Sequence, residues 1–83
     1  MTTLRYPLAT EKSVGFIDRD NVITYVVDYR ATKKQIAKEF EELFNVKVAS
    51  VRTSNMPSNY KKAFIKLKKE YKASDVAIKL KLV

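Results

Sequence analysis

The 83-residue chain contains no cysteine and no histidine. Without cysteine it can form neither a disulfide nor a thiolate metal site, which fits a reducing compartment. Without histidine it lacks the commonest general base and metal ligand, so only carboxylates and lysines remain for such chemistry. We therefore expect no enzyme activity, no metal or other cofactor and no small-molecule substrate.

Long apolar runs are also missing. No segment approaches the ~20 apolar residues that a membrane helix needs, and the N-terminus lacks the apolar core of a signal peptide. We expect a soluble, cytoplasmic protein without membrane insertion. With 46% hydrophobic residues, the chain predicts one small domain over residues 1–83 that can bury a core.

The positive charge is unevenly placed. Residues 1–46 carry seven Lys or Arg and seven Asp or Glu, whereas residues 47–83 carry ten and two, so the net charge of +8 lies in the second half. Clustered cations favour a polyanion, most often nucleic acid, because neutralising phosphates releases counterions. A solvated basic face that only keeps the protein soluble would give the same excess, so charge alone leaves both interpretations open.

The clearest local signal is a helix over residues 32–44. Thr32 and Gln35 have the spacing of a capping box, and Asn45 tolerates the left-handed conformation that ends a helix. The apolar residues recur at helical spacing and predict one buried stripe: Ile36, Phe40, Leu43 and Phe44.

Three segments predict strands. Residues 22–29 are rich in β-branched and aromatic residues, with Ile23, Tyr25 and Val27 on one face and a second face too apolar to be fully solvated. Residues 46–53 alternate between apolar and polar side chains until Ala49-Ser50, where the alternation breaks. The break indicates a bulge or burial on both faces. Residues 60–68 form the third strand after a loop at residues 54–59.

The ends of the chain give weaker signals. Residues 1–6 lack periodicity and indicate an arm, Thr10 could cap a short helix to about Asp18, and residues 18–21 have turn chemistry. Ser74 and Asp75 predict the cap of a closing helix to about Leu80, although Lys79–Leu82 also alternates like a strand, so residues 76–83 stay open. The predicted fold is an α/β (α+β) sandwich: a small antiparallel sheet with the 32–44 helix packed on one face and short helices near both ends.

The third strand would present a mixed cationic and aromatic face, formed by Lys62, Phe64, Lys66 and Lys68. Cations can bind phosphates while a ring stacks on a base, as on sheets that bind nucleic acid. Alternatively, Phe64 packs under a terminal segment and the lysines are only solvated.

Five segments, in order along nearly the whole chain, resemble the ribosomal protein L23 family of the large subunit. They are Pro7-Leu8-Ala9-Thr10-Glu11-Lys12, Tyr25-Val26-Val27-Asp28, Ala31-Thr32-Lys33-Lys34-Gln35-Ile36, Leu43-Phe44-Asn45-Val46-Lys47-Val48 and Lys61-Lys62-Ala63-Phe64-Ile65-Lys66-Leu67. The resemblance implies a structural ribonucleoprotein component in translation, bound to large-subunit rRNA and neighbouring ribosomal proteins at the rim of the polypeptide exit tunnel. It also implies nascent-chain factors as partners: trigger factor in bacteria, and signal recognition particle and the membrane translocon more widely.

The resemblance also assigns candidate residues. The family's rRNA contacts would correspond to Thr10, Lys12, Lys33, Lys34, Arg52, Thr53, Asn55, Lys61 and Lys62. Glu11 matches the glutamate with which bacterial members dock their chaperone, although a carboxylate there would also stabilise a first helical turn.

Two departures from the bacterial pattern are present. The 54–59 loop is too short to reach into the tunnel, and Arg52 replaces the asparagine usual before that threonine. The short loop, the compact start and the Ala-Ser-Asp-Val-Ala ending resemble the archaeal form of the family.

Two other classes remain as alternatives. A small basic nucleoid or RNA-chaperone protein would share the size and charge, but should bind duplex DNA about as well as rRNA. A small hydrolase of acyl-phosphate type would need an arginine and an asparagine at a phosphate cradle, which a single glycine disfavours.

Overall fold

The computed structural model describes residues 4–8, 15, 17, 19–56 and 60–80. Within them, four strands form one antiparallel sheet in the order β1-β2-β4-β3, together with two helices of defined bounds. The elements along the chain are β1 (Leu4–Pro7), β2 (Val22–Asp28), α1 (Lys33–Phe44), β3 (Val48–Met56), β4 (Tyr60–Leu67) and α2 (Ala73–Lys79). The predicted small α+β fold with an antiparallel sheet is confirmed.

Helix α1 begins and ends where the sequence predicts. The backbone N–H of Gln35 donates to the hydroxyl of Thr32 at 3.1 Å, and the N–H of Thr32 donates to the Gln35 side chain at 3.0 Å, which completes the capping box. Asn45 ends the helix with a φ of 56°. Both ends of α1 are therefore specified by local residues.

The core lies between α1 and one face of the sheet. Ile36 and Phe40 of α1 are fully buried, and the ring of Phe40 meets that of Tyr25 edge-on with centroids 6.2 Å apart. The strand residues beneath alternate as the period of two requires, and the buried set on this face is Ile23, Tyr25, Val27, Ala63, Ile65 and Leu67.

Leu43 contradicts the predicted stripe, because its side chain is 61% exposed whereas Phe44 is half-buried. The C-terminal half of α1 approaches β3, where the Glu41 carboxylate accepts a hydrogen bond of 2.8 Å from the N–H of Val48. Since β3 is the edge strand, no described strand lies beyond it to cover Leu43.

The strands at both edges of the sheet differ from prediction. Residues 4–6, interpreted as part of an arm over residues 1–6, form β1 together with Pro7 and pair with β2. A register shift between Leu4 and Tyr6 interrupts the alternation that would have revealed the strand. Of the two alternatives left open for the break in alternation at Ala49-Ser50, the structure has the bulge, as a register shift in β3 between Val48 and Ser50. The strand begins at Val48 and not at residue 46 as predicted. The strand continues to Met56, so Ser54 and Asn55 pair with β4 instead of belonging to the loop.

The predicted short helices lie near the ends of the described chain. Gly15, Ile17, Arg19 and Asp20 are helical, and the rest of the predicted helix from Thr10 is outside the described residues. Arg19 and Asp20 thus continue the helix where a turn was predicted.

Helix α2 confirms the closing helix, but its cap was predicted wrongly. The N-cap is Lys72, which makes no side-chain capping bond, and Ser74 and Asp75 lie within the first turn. Residues 81–83 are outside the described chain.

The side chain of Asn21 supplies the bond that Lys72 does not. Its Oδ1 accepts from the N–H of Ala73 at 2.7 Å, and its Nδ2 donates to the carbonyls of Leu67 at 3.2 Å and Tyr71 at 2.9 Å. Its backbone has a φ of 58°, which asparagine tolerates better than most residues. This Asn21 clasp joins the start of β2 to the connection between β4 and α2.

Replacing Asn21 with glycine tests the clasp. Glycine keeps the left-handed backbone but removes three partly buried hydrogen bonds, so we expect Asn21→Gly to lower the free energy of unfolding by about 2 kcal/mol. Urea unfolding followed by circular dichroism measures the change.

Asn45→Gly is the matched control, since Asn45 has nearly the same φ but its side chain makes no hydrogen bond within the described residues. It should leave stability unchanged or slightly raised. Equal losses in the two variants would show that backbone conformation, and not the clasp, explains the effect at Asn21.

Candidate nucleic-acid interface

The face of the sheet turned away from α1, here called the outer face, carries the predicted cations. Phe64 lies opposite Arg52 on one side and Thr24 on the other. Lys62 and Lys66 flank Phe64 along β4, which confirms the predicted alternation for these three residues, whereas Lys68 lies beyond Leu67, where β4 ends. The register adds Arg52 beside the ring. β3 and β4 together contain four cations and no carboxylate: Arg52, Lys61, Lys62 and Lys66. We call these four residues the cationic flank.

The centre of the outer face is covered, as its apolar composition predicts. Val22, Thr24 and Val26 are 8%, 2% and 0% exposed, and within the described chain the Thr24 hydroxyl has no hydrogen-bond partner. The polar part of the outer face therefore lies on the β3–β4 side of the sheet and at the two ends of its strands.

The candidate residues of β3 and β4 divide between the two faces. Arg52 and Lys62 lie on the outer face, whereas Thr53, Asn55 and Lys61 share the side of Ala63 and Ile65. Asn55 lies directly opposite Lys61, and Lys61 and Lys62 are half-buried. A ligand contacting all five would have to wrap the end of the β3–β4 pair.

Lys33 and Lys34 are exposed in the first turn of α1. Because α1 follows the end of β2, and β2 and β4 are antiparallel, these lysines lie near the sheet end where β4 begins with Lys61 and Lys62. The first turn of α1 contains no carboxylate, so nothing there neutralises the positive end of the helix dipole. Thr10, Glu11 and Lys12 are outside the described residues.

At the same end of the sheet, Asp28 holds a group of residues that sequence reasoning missed. Its carboxylate bonds the guanidinium of Arg5 at 3.1 Å and lies 3.7 Å from that of Arg30, whose backbone N–H also donates to it at 2.9 Å. Arg5 lies over the ring of Tyr60 at 6.0 Å, and Arg30 over that of Tyr29 at 5.4 Å. We call these residues the Asp28 cluster.

The Asp28 cluster had one local signal. An aspartate two residues before Arg30 is the spacing of an Asx turn, in which the side chain accepts from that N–H. Arg5 and Tyr60 had no such signal, because they reach Asp28 only through the pairing of β1 and β4 with β2.

Comparison with known proteins decides the family. The model of the family described as Ribosomal protein L23 matches residues 2–78. The chain belongs to the ribosomal protein L23 family. A curated relative, large ribosomal subunit protein uL23 of Methanothermobacter thermautotrophicus, is 49% identical over 74 residues, which cover 89% of this chain and 86% of the relative. The protein of the same name from Pyrobaculum aerophilum is 49% identical over 73 residues, covering 88% and 90%.

Membership in the L23 family confirms the resemblance found in the sequence. Both relatives are archaeal proteins, which agrees with the resemblance to the archaeal form of the family. The chain is therefore a ribosomal protein of a structural, non-enzyme family, with a role in translation as part of a ribonucleoprotein. This finding favours the ribosomal interpretation over the nucleoid and hydrolase alternatives.

The part of this L23-family chain that the structure describes contains neither a helix suited to span a membrane nor an acidic group suited to hold a metal ion. Its helices include none long and apolar enough to cross a bilayer. Its acidic side chains form no group of three that could hold a metal ion.

The Asp28 cluster predicts a pH dependence of stability. The N–H of Arg30 lowers the pKa of Asp28, and the charge of Arg30 and the hydrogen bond from Arg5 lower it further, against an opposing effect of burial. Since the folded pKa lies below the unfolded one, the stabilisation is complete above about pH 4 and is lost as pH falls through the folded pKa. We expect Asp28→Asn to unfold more easily than the parent at pH 7, and the difference to shrink on acidification.

Urea unfolding of both proteins between neutral and acidic pH measures this difference. Asp20→Asn is the control, because Asp20 is half-exposed and pairs with its neighbour Arg19 at 3.5 Å. A gap between Asp28→Asn and the parent that stays constant as the pH falls would contradict the proposed stabilisation.

Proposed function

We propose that this protein is a structural constituent of the large ribosomal subunit that binds large-subunit rRNA through the cationic flank. The observation that carries the proposal is the absence of carboxylates from β3 and β4, which hold the four cations of the flank on paired strands. All nine candidate residues given above belong to this proposal, as one rRNA-binding domain over residues 1–83.

A rigid sheet suits the recognition of folded RNA. Arg52 is exposed beside Phe64, and Ser54 lies opposite Lys62, so cations alternate with hydroxyls across the β3–β4 pair. Cations and hydroxyls of this kind bind phosphate and sugar oxygens and set the register of a protein on its nucleic acid. The shape of the rRNA should therefore matter more for binding than its base sequence.

The fixed positions of the cations support a binding role over simple solubility. Lys61 and Lys62 are half-buried on a central strand. Lysines that only keep a protein soluble can lie anywhere on its exposed surface and need no such position. Neutralising phosphates here would release counterions, so affinity should fall steeply with salt.

Charge reversal at Lys61 and Lys62 tests the interface. The double variant Lys61→Glu, Lys62→Glu should bind a large-subunit rRNA fragment more weakly, with a log–log salt slope shallower by about 1 to 2 because two phosphate contacts are lost. Fluorescence anisotropy at several salt concentrations measures both quantities.

The control carries the same change of net charge at the other end of β4. Lys69 and Lys72 are exposed and follow the end of the strand remote from Lys61. Lys69→Glu, Lys72→Glu should reduce affinity less and keep the parent slope. Identical curves for the two variants would mean that net charge alone governs binding.

The second part of the proposal concerns location and partners. We place the protein in the cytoplasm, bound to the ribosome at the rim of the exit tunnel, beside other large-subunit proteins. The exposed apolar side chain of Leu43 on α1 supports protein contacts on this side of the molecule, away from the outer face of the sheet. Signal recognition particle and the translocon are the proposed nascent-chain partners, with Glu11 as the docking residue.

Ribosomes carrying Glu11→Lys should retain signal recognition particle several-fold less well, because the docking carboxylate would be replaced by a cation. Co-sedimentation of the particle with washed ribosomes measures this. Glu70→Lys, which changes an exposed turn residue, is the control. Normal retention by the Glu11 variant would remove Glu11 from the docking surface.

A further inference from the structure

The Asp28 cluster exposes two aromatic rings at the end of the outer face. Tyr29 is 48% exposed and Tyr60 is 38% exposed, so neither ring is part of the buried core. Tyr60 lies opposite Asp28 in the β2–β4 register, and Tyr29 follows Asp28 in the chain. Two partly exposed rings thus belong to residues that adjoin Asp28, one across the sheet and one along the chain.

Asp28 also pairs with the cations that accompany the rings, through a side-chain hydrogen bond with Arg5 and through charge with Arg30. It bonds Arg5 and lies near the guanidinium of Arg30, and each arginine lies over one of the two rings. The backbone bond from Arg30 fixes the carboxylate in turn. Side chains held in place before binding lose less conformational entropy when a ligand arrives.

We propose that the Asp28 cluster is a stacking site for unpaired bases of RNA. Tyr29 and Tyr60 provide the stacking surfaces, and Arg5 and Arg30 extend them with planar guanidinium groups that also neutralise the adjoining phosphates. The proposal rests on the RNA binding proposed above, and it specifies which part of an RNA this end of the sheet binds.

The chemistry of the cluster favours unpaired nucleotides over a duplex. Base faces are covered by their neighbours inside a helix but are available in loops, bulges and ends, where proteins stack aromatic and guanidinium groups on them. Lysines of the cationic flank bind phosphates of either form, whereas exposed rings contribute only where a base is free.

The charges around the cluster favour RNA over a protein partner. Asp28 already interacts with both arginines, and the next residues along β4 are Lys61 and Lys62. The surroundings of the rings are therefore cationic, which suits a ligand with one negative charge per nucleotide.

The test replaces both rings and compares two RNAs. Tyr29→Leu, Tyr60→Leu should bind a labelled single-stranded oligoadenylate about tenfold more weakly than the parent. The loss should be equal at every salt concentration, because the rings carry no charge. Affinity for duplex RNA with the same number of phosphates should not change.

The variant Tyr29→Phe, Tyr60→Phe keeps the rings and removes only the hydroxyls, so it should bind like the parent. Both positions are exposed, so the variants should fold, which circular dichroism checks. Unchanged single-strand binding by the leucine variant, an equal loss on duplex RNA, or an equal loss in the phenylalanine variant would each overturn the stacking site.

Failure of this proposal is distinguishable from failure of the proposed function. If the leucine variant matches the parent while Lys61→Glu, Lys62→Glu flattens the salt slope, the RNA interface stands and only the stacking site is wrong. If the parent itself does not bind rRNA, the proposed function fails. A leucine variant that binds RNA normally but is depleted from assembled subunits would overturn the stacking site in favour of a protein contact.

Discussion

The antiparallel register between β2 and β4 controls both the core and the candidate interface. It sets Ala63 beside Tyr25 and Ile65 beside Ile23, which buries one side of β4 under α1. The opposite parity then places Lys62 and Lys66 on the outer face. A slip of one residue would turn these lysines into the core, so the free energy of burial that folds the chain also orients its cations.

The local sequence was sufficient to predict those elements whose signals lie within a few residues of one another. Thr32 and Gln35 close their capping box across three positions, Asn45 adopts its left-handed conformation alone, and β4 alternates strictly. The bulge in β3 was visible as a break in alternation near Ala49. The cationic side of β4 followed from the same alternation, before any tertiary structure was considered.

Features that depend on distant partners were missed. Arg5 seemed part of an arm, because its bond to Asp28 exists only when β1 pairs with β2 across a bulge. Leu43 has the right helical phase for burial, yet the sheet ends at β3 before it can be covered. For the candidate site, alternation within β4 already separated Lys62 from Lys61, but only the β3–β4 register placed Arg52 on the side of Lys62 and Asn55 on the side of Lys61.

The Asn21 clasp makes the last helix dependent on the first third of the chain. The N–H of Ala73 donates to the side chain of a residue 52 positions earlier, and the amide nitrogen of that side chain donates to the carbonyls of Leu67 and Tyr71. During synthesis residue 21 emerges well before residue 73, so the hydrogen bond between them cannot form until residue 73 has also emerged. A variant truncated before α2 would therefore lose more than seven helical residues, because the Asn21 Oδ1 would also lose the N–H of Ala73, its hydrogen-bond partner at 2.7 Å.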